Sequence, residues 1–135
     1  VVMEAPDTSN AYGGLVERIQ LFHEIARALV EMRVPLAVVP PAVLKGYATG
    51  NGGHQGGKKR IIAAVNELWP EYGKVNDDEA DAAVLAAMGL DKLTGLRRVP
   101  DAQSAEWMDL PRKNGQPPVR WPAGLPDRTW VPHAV

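Results

Sequence analysis

From residue 15 to about residue 32 the apolar side chains Leu15, Ile19, Phe22, Ile25, Leu29 and Met32 recur at helical spacing. Glu17, Arg18, Glu24, Arg27 and Glu31 fall between them. Steps of three and four residues gather the apolar set on one stripe, so the pattern predicts a long amphipathic helix. Two short apolar runs bracket it. Residues 1–3 read Val-Val-Met and end at Glu4; residues 36–39 follow Pro35, which closes the helix. Both read as strands, and Pro6, Asp7, Ser9, Asn10 and Gly13-Gly14 mark the loop after the first.

The second half continues the alternation. Pro40-Pro41 opens a short helix over 42–48, with Pro41 tolerated in its first turn. Residues 49–57 hold five glycines in nine positions, and a further helix spans about 58–69, closed by Pro70. Residues 75–77 lead into an acidic helix that runs to residue 88 and stops at Gly89. Strand, helix, strand, helices is an α/β order, in which the two strands are most simply parallel neighbours. After Gly95 the pattern fades. Residues 96–135 carry seven prolines and three of the four tryptophans without sustained periodicity. They read as an irregular extension, and the large apolar tryptophans favour one that wraps the domain.

At 135 residues, 45% hydrophobic, there is room for one core, taken here as residues 1–95 with the extension 96–135. The absence of cysteine excludes disulfides, thiolate metal sites and cysteine nucleophiles, and fits an intracellular, cytoplasmic protein. No apolar run approaches the roughly 18 residues of a membrane helix. With a net charge of −1, nucleic-acid binding would depend on a local basic patch. A chain that opens Val-Val-Met in mid-strand reads as a fragment of a longer protein.

Two acidic signals stand out. Glu4 ends the first strand, and Asp78 and Asp81 lie three apart where the last helix begins. Residues three apart share a helix face, so the two carboxylates point the same way. Carboxylates converging from distant segments are what a hard cation such as Mg²⁺ requires. The plainer reading of Asp77, Asp78 and Glu79 is an acidic first turn that complements the helix dipole. Asp81 fits that reading less well, because it interrupts the small-residue run Ala80, Ala82, Ala83.

The second constellation is the glycine-rich stretch 49–57 with Lys58, Lys59 and Arg60 behind it. Such a loop feeding a basic helix start can bring N–H groups and cations to a phosphate. It is neither a Walker A loop nor a dinucleotide fingerprint, and a flexible surface loop with solvated cations is the competing reading. Lys45, one helix earlier, adds to a basic edge. His23, His54 and His133 show no metal spacing; His54 lies in the glycine loop, within reach of a phosphate.

Taken in order, Glu4 at a strand end, Val39-Pro-Pro-Ala-Val-Leu-Lys45-Gly-Tyr-Ala-Thr-Gly50, Gly57-Lys58-Lys-Arg-Ile-Ile-Ala-Ala-Val65 and Asp78-Glu-Ala-Asp81-Ala resemble RuvC-type Holliday-junction resolvases, above all the versions carried by actinobacterial phages. The likeness covers about residues 1–90. It implies a partial ribonuclease-H-like α/β fold and a metal-dependent endonuclease that cleaves branched DNA in recombination, repair or phage DNA processing. In that family four carboxylates hold two Mg²⁺ ions, with Mn²⁺ as a substitute. Glu4, Asp78 and Asp81 match three of them. Lys45 and Lys58 fall where family lysines approach the scissile phosphate and the DNA backbone, with His54, Lys59 and Arg60 alongside. The 15–33 helix falls where the family forms its homodimer.

The family's first-strand aspartate has no counterpart here, so residues 1–135 alone are expected to show little or no activity. A non-catalytic DNA-binding or assembly module on the same fold is the main alternative. A plain α/β interaction protein, or a sister nuclease acting on flaps or RNA–DNA hybrids, are further readings.

Overall fold

The computed structural model describes residues 1–8, 13–53, 57–115 and 118–125. Strand β1 (Val2–Glu4) pairs in parallel with β2 (Ala37–Val39), placing Val2 opposite Ala37 and Glu4 opposite Val39. Helix α1 (Leu15–Glu31) is the crossover that parallel strands require. Backbone bonds from Ala5 N–H to Val39 O (2.8 Å) and from Ala37 N–H to Val1 O (2.9 Å) extend the ladder by one residue at each end. The expected mixed α/β arrangement is thus present as a small parallel sheet in a helix-rich body.

Helix α1 is long, as its spacing predicts, but its apolar surface is not a single covered stripe. Leu15, Ile19, Phe22, Ala26 and Leu29 are half-buried, whereas Leu21, Ile25 and Met32 are exposed. No residue of α1 is fully buried. Its outer face is held by Arg27, which bridges Glu24 and Glu31 at 2.8 and 2.7 Å.

Four more helices complete the body: α2 (Pro41–Thr49), α3 (Gly57–Leu68), α4 (Asp77–Thr94) and α5 (Asp101–Met108). Val39, Val43, Leu44, Tyr47, Val65, Val84 and Met88 form the centre of the core. The expected stop of the acidic helix at Gly89 is incorrect. Helix α4 continues to Thr94 and ends at Gly95, whose φ of 70° is the left-handed cap that glycine favours. Gly89 instead serves close packing: a Cβ there would sit 2.9 Å from Val2 Cγ2.

The irregular extension expected after residue 95 is corrected for its first part. Helix α5 packs on α2, with Trp107 stacked where a side chain at Gly46 would stand. Val99, Met108 and Val119 enter the same core. A polar knot fastens the arrangement: buried Asp91 accepts from Tyr47 Oη (3.0 Å) and Ser104 Oγ (2.7 Å), and pairs with Arg97 Nε at 3.1 Å. One carboxylate thereby links α2, α4 and α5. Wrapping continues through Arg120, whose backbone exchanges two 3.2 Å bonds with Val38 on the open edge of β2.

Candidate functional site

The start of α4 divides its acids among separate tasks. Asn76 caps the helix by accepting from Glu79 N–H, and the Glu79 carboxylate accepts from Asn76 N–H, both at 2.9 Å. This reciprocal box satisfies two otherwise orphaned donors. Asp77 pairs with Lys58 at the start of α3. That pairing follows from helix phase: Lys58 lies on the same side of α3 as the buried Ile61 and Val65, so it faces α4. Glu79 and Asp77 are therefore explained by capping and pairing, and Asp78 and Asp81 are not.

Asp78, Asp81, Leu85 and Gly89 run along one side of α4 at spacings of three and four. This is the side laid against β1, since Gly89 meets Val2. The helix and strand run in opposite senses there, which brings Asp81 toward Glu4 at the other end of the same seam. Electrostatics record the approach. The Glu4 carboxyl is pushed up to about 7, first by burial, then by the Asp81 charge, with Lys45 opposing and Asp7 adding a smaller push. Asp81 is also raised, by burial and then by Asp77, with Lys45 and Lys58 opposing and Asp78 reinforcing.

The structure thus brings Glu4, Asp81 and Lys45 together from β1, α4 and α2, with Asp78 and Lys58 at the margin. Asp78 is exposed, and it acts on Asp81 and Lys58 only through its charge. The Lys58 ammonium is held more firmly protonated, chiefly by its bond to Asp77. Lys59 and Arg60 are exposed on other faces of α3. His54 lies outside the described residues, as does His133. Sequence reading did not single out Asp77 as the partner of Lys58; the clue available was the shared phase of Lys58 with Ile61 and Val65.

Carboxylate oxygens are the donor type that Mg²⁺ or Mn²⁺ prefers. Lys45 opposes the upward push on Glu4 without cancelling it, and a divalent cation would oppose it further. Among the described residues, however, no group of three His, Cys, Asp or Glu side chains is close enough to hold a metal ion. The donors present fit one side of a cation site and do not enclose it. No described helix is long and apolar enough to cross a membrane.

What the fold and site define together is a mixed α/β domain with two half-buried carboxylates, Glu4 and Asp81, in electrostatic reach of lysines. Beyond that class, no family model, curated protein or solved structure matches the chain.

Proposed function

We propose that this chain is the carboxylate-bearing part of a metal-dependent endonuclease acting on branched DNA, of RuvC type and ribonuclease-H-like fold. One observation carries the reading: Glu4 and Asp81 approach from a strand end and a helix start, where burial first and then the Asp81 charge push the Glu4 carboxyl up to about 7. Two half-buried acids brought near each other at a strand end serve stability poorly. Such strain is common where charge is arranged for chemistry.

In this reading Glu4 and Asp81, with Asp78 beside them, would hold Mg²⁺ or Mn²⁺. The cation would supply water activation and charge neutralisation at a scissile phosphate. Lys45, whose charge acts on both acids, would offset charge building on the phosphate oxygens. Lys58 belongs to the same rim, and Asp77 fixes its position. Lys59, Arg60 and the adjoining glycine-rich segment extend a basic edge along which a DNA backbone would run. Recognition of a four-way junction by phosphate contacts and shape would make binding strongly salt-dependent. The apolar residues left uncovered on α1, chiefly Leu21, Ile25 and Met32, support pairing with a second copy through that helix. A two-fold dimer would set two sites on opposite strands of a symmetric junction.

The test has two arms. Mg²⁺ or Mn²⁺ should bind the chain and stabilise it against heat, and Asp81→Asn should abolish that effect. A fixed four-way junction should be cut in preference to a matched duplex once the fourth acidic ligand is supplied; the family's first-strand aspartate has no match in residues 1–135. Cation binding unchanged by Asp81→Asn would remove the metal site, and equal cutting of both substrates would remove the resolvase assignment.

The second reading is a DNA-binding or assembly module that keeps the fold without the chemistry. It is favoured by the lack of any three-residue donor group among the described residues. Junction binding with no cation response at Asp81 would establish it.

A further inference from the structure

The C-terminal segment was silent in sequence, yet the fold places it beside the carboxylate end of the sheet. Between Asp109 and Asp127 the chain holds three cations, Arg112, Lys113 and Arg120, and no acid. Four cations elsewhere are paired at close range: Arg27 by Glu24 and Glu31, Lys58 by Asp77, Arg97 by Asp91 and Asp101, Arg98 by Glu71. Among the described residues no carboxylate pairs with Arg112, Lys113 or Arg120, and all three side chains are exposed.

These cations stand on a fixed support. Val119 is buried in the core, and Arg120 is bonded through its backbone to Val38 of β2. The Arg112 guanidinium lies over the Trp107 ring, 6.0 Å from its centroid, which orients it while leaving its donors open. Arg112 and Asn114 form a ridge between two open grooves. The first, about 440 Å³, is lined by Arg112 and Arg120 together with His23 and Phe22 of α1. Ala5 and Pro40 close its floor; they follow Glu4 and precede α2, the helix that carries Lys45. The second, about 650 Å³, is lined by Arg112, Lys113 and Trp107, with Glu106 the one acid on its wall.

We propose that Arg112, Lys113 and Arg120 form a second phosphate-contacting surface, which takes a nucleic-acid backbone on the β2 side of the carboxylates, away from the basic start of α3. Two guanidinium groups can each grip a phosphate through paired N–H donors. The uncompensated positive charge complements a polyanion, and the mostly apolar groove walls suit sugar and base faces. DNA as the polyanion rests on the nuclease reading; the charge and its fixed scaffold do not.

The test measures binding rather than cutting. Fluorescence anisotropy with a fixed four-way junction, in EDTA, follows affinity from about 50 to 200 mM salt for the 135-residue chain. Replacing all three cations with alanine should reduce the slope of log affinity against log salt by about 3, roughly one per lost phosphate contact, and weaken low-salt binding at least tenfold. The variant R112K/R120K keeps the charges and should keep the slope. If the alanine variant melts early, R112Q/K113Q/R120Q replaces it. An unchanged slope overturns the proposal, as does equal loss in the charge-keeping variant, equally strong competition by polyglutamate, or a parent chain that does not bind the junction. A parent that binds with this slope but lacks any cation response at Asp81 refutes the nuclease reading and leaves this surface standing.

Discussion

Replacing Glu4 with glutamine should stabilise the metal-free protein while removing its response to divalent cations. The carboxyl rises from 4.5 to about 7 on folding, so the folded state holds the proton more tightly than the unfolded chain. Stability associated with that proton is fully present below the unfolded value of 4.5 and is lost as pH rises through about 7. At about 1.4 kcal/mol per pH unit the full difference is about 3 kcal/mol. Solvent screening of a half-buried group reduces it to about 1–2 kcal/mol. Glutamine keeps the shape of the protonated acid without the charge. E4Q should therefore match the parent near pH 4 and exceed it above pH 7, by about 3–10 °C in melting temperature for a chain of this size. Thermal melts in EDTA across that pH range measure the gap. Repeating them with Mg²⁺ should raise the parent and not E4Q. An E4Q melt at or below that of the parent at alkaline pH would refute the reasoning, because Glu4 would then be carrying no electrostatic strain.

Other perturbations follow from the same contacts. Asp91→Ala removes the buried acceptor of the Tyr47 and Ser104 hydroxyls and the closer of the two carboxylates on Arg97, and should cost about 3–5 kcal/mol in urea unfolding. Gly46→Ala drives a methyl into the Trp107 ring and should cost about 1–3 kcal/mol; adding Trp107→Ala should give clear non-additivity in a double-mutant cycle. Asn76→Ala removes half of the capping box and should cost about 1 kcal/mol.

The parts legible in the sequence were those set by local periodicity and caps. The α1 spacing, the two apolar runs and Pro41 at a helix start need little tertiary context. The illegible parts were decided by contact with distant residues. Gly89 reads as a stop because glycine costs a helix interior about 1 kcal/mol, but closeness to Val2 outweighs that signal. Helix α5 was missed because it buries only Ser104 and Met108, too narrow a stripe to show as amphipathic. The Asp91 knot joins residues 44 and 13 positions away, which no local window detects. For the site, Asp78 and Asp81 were visible as a spaced pair. Their unequal setting, one exposed and one pressed toward Glu4, needed the α4–β1 seam. The ribonuclease-H-like assignment goes further than either periodicity or this seam, and it stands on the metal and junction tests.

The Asp91 knot also bears on the order in which the protein can be made. Synthesis proceeds from the N-terminus at about 5–20 residues per second. Glu4, Lys45 and Asp81 all emerge before Arg97 and Ser104 do. Until those two arrive, the Asp91 carboxylate lacks the Ser104 hydroxyl and the Arg97 guanidinium that meet it in the folded chain, so the last turns of α4 gain less by docking. A nascent chain therefore keeps its acidic pair unassembled until Arg97 and Ser104 have emerged, and the Glu4–Asp81 seam matures after residues that follow it in the sequence.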